Sequence, residues 1–218
     1  MDLPFLWTPP QGGDARVSAT AVDSIGLDSV IPVYHGLEGN HHLQQPYVFQ
    51  RVFSSGQCAR IEAIGESLRL WDGRSTSDEE DYRVCTASWI EEISQTVFIF
   101  DRLRELTASV NALYRLEASG FAEPLHFIRY EPGGHFGWHT DLGDGPMSTR
   151  KISVSVQLSE SASYGGGDLE FCPLGTIDEF RGIGNAIAFP SYIAHRVHPV
   201  TRGRRKALVA WIHGPAFR

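Results

Sequence analysis

The sequence has few cysteines and no long hydrophobic run, and both absences limit what the protein can be. Its three cysteines, Cys58, Cys85 and Cys172, lack the spacing of a disulfide framework or of a zinc site. The N-terminus lacks a basic segment followed by an apolar stretch, and no run reaches the length that spans a bilayer. These absences predict a soluble, cytoplasmic protein with free thiols and no membrane partner.

Basic residues are fewer than acidic ones: 19 lysines and arginines stand against 26 aspartates and glutamates. The formal net charge is therefore −7 and the pI is about 5.7. An acidic chain does not favour a charge-driven grip on a phosphate backbone, so nucleic acid is not expected as a partner. The length of 218 residues, 42% of them hydrophobic, suits one sizeable core. We therefore predict a single domain over residues 47–218, preceded by an irregular arm, residues 1–46, that is rich in Pro, Gly, Asp and His.

Two helices are predicted in the first half of the domain. Ser54 or Ser55 can cap the first, and its apolar stripe is Ile61, Ile64, Leu68 and Trp71. The stripe of the second is Leu103, Leu106, Val110 and Leu113, with a stop near Ser119-Gly120. The segment between them, Asp72 to Val84, carries the acidic run 78–81 and is interpreted as a solvated loop.

From Pro124 onward the pattern changes to short strands separated by Gly-rich or Pro-containing turns. Apolar and polar residues alternate over 151–158, where Ile152, Val154, Val156 and Leu158 share one face. The other predicted strands are 125–130, 135–141, 168–172, 186–189, 195–200 and 205–213. So many short strands without intervening helices predict an antiparallel sandwich or barrel, with the two helices bracing one outer face.

His139 and Asp141 are the first candidate metal ligands. Residues two apart on a strand project from the same face, so this imidazole and this carboxylate can converge on one ion. Alone, the pair is also typical of a hydrogen-bonded surface feature. His195, where a turn feeds a later strand, is a candidate third ligand, although a histidine at a strand end is often structural. Two histidines and one carboxylate form the facial triad of non-haem Fe(II) oxygenases, which leaves coordination positions open for a cosubstrate and dioxygen.

A cation ten positions after His195 supports the metal interpretation. Arg205 begins a strand whose apolar face includes Ala207, Val209 and Trp211, and burying an arginine there is costly without a partner. The carboxylate of a dianionic cosubstrate would supply that partner. Tyr130 is a second candidate for the same carboxylate, although a core tyrosine explains it nearly as well.

The ordered motifs resemble one known family. They are Tyr130-x-x-Gly133, Trp138-His139-Thr140-Asp141, Gly166-Gly167-Asp168-Leu169, His195-x-Val197-x-Pro199-Val200, Gly203-x-Arg205 and Ala210-Trp211-Ile212. Together they look like the catalytic domain of prolyl-4-hydroxylase-like 2-oxoglutarate oxygenases, and are most similar to the bacterial PKHD-type hydroxylases. The resemblance covers about residues 120–215. It departs from the usual pattern at His198, and Arg202, Arg204 and Lys206 surround Arg205 as competing cations.

The resemblance implies a mainly β fold, a double-stranded β-helix (jelly roll, cupin-like) braced by helices from the N-terminal half. It implies His139, Asp141 and His195 as Fe(II) ligands, with Arg205 and Tyr130 holding 2-oxoglutarate. Dioxygen is the other cosubstrate, and ascorbate is an expected reductant. The implied reaction is hydroxylation of a C–H bond with release of succinate and CO2, although desaturation or cyclisation uses the same cofactors.

The substrate is expected to be a small molecule or a peptide, with an amino acid side chain as the first expectation. The acidic run 78–81 would favour a cationic one. Two alternatives stay open. Oxidative demethylation of nucleic acid uses the same iron core but calls for a basic, aromatic-lined groove. A non-catalytic β-helix module that binds a small acid or sugar would not consume 2-oxoglutarate.

Overall fold

The computed structural model describes residues 39–74 and 82–217. Its α-helices are α1 (Ser55–Ser67) and α2 (Val97–Tyr114), and short 3-10 helices span His41–Gln44, Gly145–Thr149, Ser161–Ser163 and Asp178–Arg181. In chain order the strands are β1 (Tyr47–Phe49), β2 (Trp71–Asp72), β3 (Arg83–Val84), β4 (Thr86–Ile90), β5 (Leu125–Tyr130), β6 (His135–His139), β7 (Arg150–Gln157), β8 (Tyr164–Gly166), β9 (Leu169–Phe171), β10 (Gly175–Thr176), β11 (Ala186–Pro190), β12 (His195–Val197), β13 (Val200–Gly203) and β14 (Arg205–His213).

The strands form two main sheets. A seven-stranded sheet has the order β1-β11-β7-β14-β5-β4-β2, and a five-stranded sheet has the order β10-β9-β12-β6-β3. Neighbouring strands run antiparallel in both sheets, and a separate antiparallel pair joins β8 to β13. Within the described ranges, neither helix combines the length and apolarity needed to span a bilayer.

The two faces of the large sheet bury different kinds of side chain. On β7, Ile152, Val154 and Val156 belong to the core formed with α1 and α2. The alternate residues Ser153 and Ser155 are also buried but face the small sheet. The predicted alternation is therefore present, and its polar half points into the space between the two sheets, where the candidate site lies.

Helix α1 begins as predicted and ends earlier. The Ser54 hydroxyl oxygen accepts from the backbone N–H of Gln57, whose side chain accepts from the Ser54 N–H in return, which forms a capping box. The predicted extension of the apolar stripe to Leu68 and Trp71 is wrong. The helix ends at Ser67, and both side chains are 39% exposed. Trp71 instead opens β2, because pairing with β4 overrides the helical spacing.

Helix α2 buries Leu103, Leu106 and Val110, as its spacing predicts. It stops at Tyr114, five residues before the predicted stop at Ser119, because Arg115 takes a left-handed backbone with φ 54°.

The other differences concern short elements. The strands β1, β2, β3, β4, β8 and β10 were not predicted, because two to five residues carry little periodicity and pairing with distant strands creates them. The strand predicted over 195–200 is divided between β12 and β13. The acidic run 78–81 and residues 1–38 of the predicted arm lie outside the described residues.

Candidate active site

Strand register brings the three candidate metal ligands together. His139 ends β6 and His195 begins β12, and the two residues are direct partners across the small sheet. The strand predicted over 135–141 ends at His139, so Asp141 lies not on the strand but in the turn after it, held by its N–H bond to the Ser191 carbonyl at 2.9 Å. Its carboxylate oxygens lie 3.8 Å from His139 Nε2 and 3.6 Å from His195 Nε2. All three ligand atoms fall within 4.8 Å of one another, so they can surround a single ion.

Backbone carbonyls fix the orientation of both imidazoles. His139 Nδ1 lies 2.9 Å from the carbonyl oxygen of Gly137, and His195 Nδ1 lies 2.9 Å from that of Ile193. A carbonyl only accepts, so each Nδ1 carries the proton and each Nε2 presents a lone pair toward Asp141. This is the arrangement expected of histidines that bind a metal through Nε2. The donor set therefore fits Fe(II) on the geometry of the chain itself.

The local electrostatics favour the protonation states that bind metals. Burial lowers the pKa of His139 to about 3, and the adjacent His195 acts in the same direction. Burial opposes ionisation of Asp141, but the two histidines outweigh it and hold the pKa of that carboxyl below its ordinary value. The cluster thus combines neutral His139 with anionic Asp141, the forms that a metal needs.

Arg205 and Tyr130 meet on the large sheet, opposite the triad. They are paired residues of β14 and β5, each is 2% exposed, and the guanidinium carbon lies 5.6 Å from the centre of the Tyr130 ring. Among the described residues no carboxylate or hydrogen-bond acceptor contacts the guanidinium. Burial raises the pKa of Tyr130 well above its ordinary value, so its hydroxyl stays protonated and can donate. A buried, unpaired guanidinium calls for an anionic ligand.

The competing cations point elsewhere. Arg204 pairs with Glu131 at the surface, and Arg202 donates to the carbonyl of Ala162. Lys206 lies on the opposite face of β14, where it pairs with Glu62 and Glu66 of α1. Among these basic residues, Arg205 alone lines the cavity that holds the triad.

One cavity joins the triad to Arg205 and Tyr130. Its remaining walls are mostly apolar or aromatic and comprise Arg83, His126, Ile128, Phe136, Val154, Ser155, Leu169, Phe189, Val197, Ala207, Val209 and Trp211. All five sequence-predicted site residues therefore reach one interior space between the two sheets. Of the histidines outside the triad, His126 lines the cavity, whereas His198 and His42 do not. His198 pairs with Glu170 at 2.6 Å, and His42 contacts the Tyr47 hydroxyl.

Two supporting features were not found from the sequence. Phe136 stacks on His139 with ring centroids 3.6 Å apart, although the two residues are three apart on a strand. An irregularity in the register of β6 against β12 places them on the same face, and no spacing rule reveals it. Arg150 binds Glu123 through two 2.7 Å contacts and lies 3.8 Å above the ring of Trp211. These residues are distant in sequence, so only the fold reveals the contact.

The chain matches the 2OG-Fe(II) oxygenase superfamily over residues 125–213. It is 30% identical over 174 residues to a PKHD-type hydroxylase of Synechococcus elongatus, which covers 74% of this chain and 75% of that protein. A PKHD-type hydroxylase of Sphingopyxis alaskensis is 42% identical over 98 residues, or 42% of this chain and 44% of the relative.

Solved structures share the architecture at lower identity. A Pseudomonas putida prolyl-4-hydroxylase aligns with a TM-score of 0.61 and 20% identity, covering 78% of this chain and 93% of that one. The viral collagen prolyl hydroxylase of Paramecium Bursaria Chlorella virus-1 gives a TM-score of 0.60 and 18% identity, covering 78% and 96%. These alignments confirm the double-stranded β-helix predicted from the motifs.

Proposed function

The chain belongs to the PKHD-type hydroxylases of the 2OG-Fe(II) oxygenase superfamily, and on that premise we propose that His139, Asp141 and His195 hold its iron and that Arg205 and Tyr130 hold 2-oxoglutarate. The enzyme is an Fe(II)- and 2-oxoglutarate-dependent dioxygenase that hydroxylates its substrate. Bound Fe(II), with 2-oxoglutarate and dioxygen, supplies the oxidising power for that reaction. The observation that carries the residue assignment is the single cavity shared by a pre-oriented triad and an unpaired buried arginine.

The triad provides two neutral nitrogen donors and one anionic oxygen donor. Its histidines lie on paired strands of the small sheet and Asp141 lies in the turn after β6, so all three can approach an ion from one side. The opposite side faces the cavity, where cosubstrate can bind. Stacking of Phe136 on the His139 ring restricts rotation of that ligand. These contacts hold the ligand side chains in position before a metal binds. They therefore reduce the conformational entropy that is lost on metal binding.

Arg205 and Tyr130 provide the anion-binding end of the cavity. The guanidinium can bind the distal carboxylate of 2-oxoglutarate through two parallel hydrogen bonds, and the Tyr130 hydroxyl can donate a third. The low dielectric constant of a buried site makes these hydrogen bonds stronger than they would be in water. The positive end of the cavity thereby orients the keto acid with its other end toward the triad.

The substrate that we propose is a neutral amino acid side chain, free or within a peptide. The PKHD-type hydroxylases and prolyl hydroxylases among the similar proteins support a side chain as the target. Asp141 is the single carboxylate among the described lining residues, and the proposed iron uses it, whereas Arg83 and Arg205 add positive charge. A cationic side chain would find no anionic partner there. A contact with the acidic run 78–81 stays a prediction.

Succinate release tests the assignment. Purified protein loaded with Fe(II) under anaerobic conditions is given 2-oxoglutarate and then air, beside matched His139→Ala and His198→Ala samples. We expect succinate from the wild type and from His198→Ala, whose ring pairs with Glu170 outside the cavity. The His139→Ala sample should release none. Equal succinate from wild type and His139→Ala would refute the ligand assignment, and no 2-oxoglutarate binding by any sample would favour a binding module.

A further inference from the structure

A second buried polar side chain lies beside the proposed cosubstrate site. Gln157, at the end of β7, is 0% exposed. Its Nε2 donates to the Tyr164 hydroxyl at 2.6 Å and weakly to the Ser159 carbonyl at 3.4 Å, but its Oε1 has no hydrogen-bond partner. An unpaired acceptor in the interior is costly, so the amide oxygen calls for a donor.

The sheet places Gln157 next to Arg205. Gln157 is the cross-strand partner of Ala207, so Arg205, two residues earlier on β14, lies diagonally opposite on the same face. Diagonal neighbours of this kind are about 7–8 Å apart at the backbone, which two long side chains can bridge. Both residues also line one small cavity, together with Tyr164 and Arg181.

The packing leaves room for the arginine at this point and for little else. A Cβ on Gly167 would lie 3.0 Å from Arg205 Cδ and 2.9 Å from the Val200 side chain. Arg181 covers the Tyr164 ring, with its guanidinium carbon 4.7 Å from the ring centre. Neighbouring residues thus restrict both the aliphatic stem of Arg205 and the ring of Tyr164, whose hydroxyl binds the Gln157 amide.

The unused hydrogen-bond donors of Arg205 and the unpaired oxygen of Gln157 complement each other. A guanidinium has five N–H donors, and a bidentate carboxylate uses two, which leaves donors that need acceptors in a buried site. Over residues 39–74 and 82–217, the buried side-chain oxygens without a partner are Thr86 Oγ1 and Gln157 Oε1. Of these two, only Gln157 lines a cavity with Arg205.

We infer that Gln157 is a positioning residue for cosubstrate recognition: its Oε1 accepts from the Arg205 guanidinium and fixes the orientation in which Arg205 binds the distal carboxylate of 2-oxoglutarate. The Tyr164 hydroxyl, bonded to Nε2, holds the amide in the orientation that presents Oε1. The inference rests on the proposed role of Arg205, so its test separates the two.

Binding calorimetry with anaerobic Fe(II)-loaded protein compares two ligands, 2-oxoglutarate and 2-oxovalerate, which lacks the distal carboxylate. Gln157→Leu should raise the Kd of 2-oxoglutarate about tenfold, as expected for losing a hydrogen bond to a charged group. It should leave the Kd of 2-oxovalerate unchanged, because that ligand makes no use of Arg205. Adding Gln157→Leu to Arg205→Met should cause no further loss, since coupled residues are not additive.

Gln157→Glu provides a second, isosteric variant in case the leucine variant does not fold. Its carboxylate should pair with Arg205 and compete with the cosubstrate, so the Kd of 2-oxoglutarate should rise further than in Gln157→Leu. Wild-type affinity in both variants, or equal weakening of both ligands, overturns the inference and leaves Gln157 a packing role. If instead Arg205→Met still prefers 2-oxoglutarate to 2-oxovalerate as the wild type does, the proposed cosubstrate site itself fails.

Discussion

Replacing Arg205 by methionine should improve the stability of the ligand-free protein while weakening cosubstrate binding. The guanidinium is 2% exposed and pairs with no carboxylate among the described residues, so without ligand it is a desolvated charge that lacks an anionic partner. Methionine keeps most of the volume and adapts to the cavity. Most core substitutions destabilise, so a gain in stability would be an unusual and informative result.

The two effects have opposite signs and different sizes. Exchanging a poorly compensated buried charge for an apolar side chain stabilises by about 1–2 kcal/mol, the lower part of the range seen for such replacements. For a chain of this length that raises Tm by roughly 2–4 °C per kcal/mol. Removing one partner of a buried charge pair costs about 2–5 kcal/mol in binding, so the Kd of 2-oxoglutarate should rise at least about 30-fold.

Thermal unfolding and anaerobic calorimetry, each with and without 2-oxoglutarate, measure both effects on one preparation. Arg204→Met is the matched control, because Arg204 is adjacent in sequence but pairs with Glu131 at the surface. It should leave Tm and 2-oxoglutarate affinity nearly unchanged. A ligand-free Arg205→Met protein that melts below the wild type, or one that binds 2-oxoglutarate normally, would refute the reasoning.

Three further predictions concern the metal, the packing and the response to acid. Asp141→Ala should abolish iron-dependent succinate release because it removes a proposed iron ligand. The far-UV circular dichroism should stay that of the wild type, because backbone hydrogen bonds hold the turn at Asp141 and the strands beside it. Gly65→Ala should lower the free energy of unfolding in urea by about 1–3 kcal/mol, because a Cβ there would lie 2.4 Å from Phe127 Cγ. Lys206 holds the pKa of Glu66 below its ordinary value of 4.5. The resulting stabilisation is present above that pH and is lost as pH falls through the lowered pKa. Lys206→Met should therefore reduce the acid-induced loss of stability, by less than about 1 kcal/mol because Glu66 is 39% exposed.

The longest strands could be predicted from the sequence because both faces of each carry a regular pattern. The bounds of β5 and β14 agree with the prediction residue for residue, and their pairing sets Tyr130 opposite Arg205. The triad was also accessible, since His139 and Asp141 are local and His195 opens a recognisable strand. By contrast, β2 joins the sheet through two residues, and Trp71 within it suited a helical stripe equally well.

The supporting residues could not be predicted because their roles depend on contacts across the fold. Gln157 is simply the polar alternate of an amphipathic strand until the small sheet covers that face. Glu123 and Arg150 are 27 positions apart and meet only when β5 and β7 flank β14. The register irregularity that stacks Phe136 on His139 breaks the period-two rule on which strand prediction depends.

The division of the site between the two sheets has a thermodynamic consequence. The proposed iron ligands belong to the small sheet and the turn after β6, whereas Arg205 and Tyr130 belong to the large one. Apolar contacts such as that of Phe171 with Phe189, whose ring centroids are 4.9 Å apart, join the sheets between them. Metal and 2-oxoglutarate bound together would bridge the same gap, so each should stabilise the sheet packing that the other requires. Their binding is therefore expected to be mutually reinforcing, and by linkage the gain in one affinity equals the gain in the other.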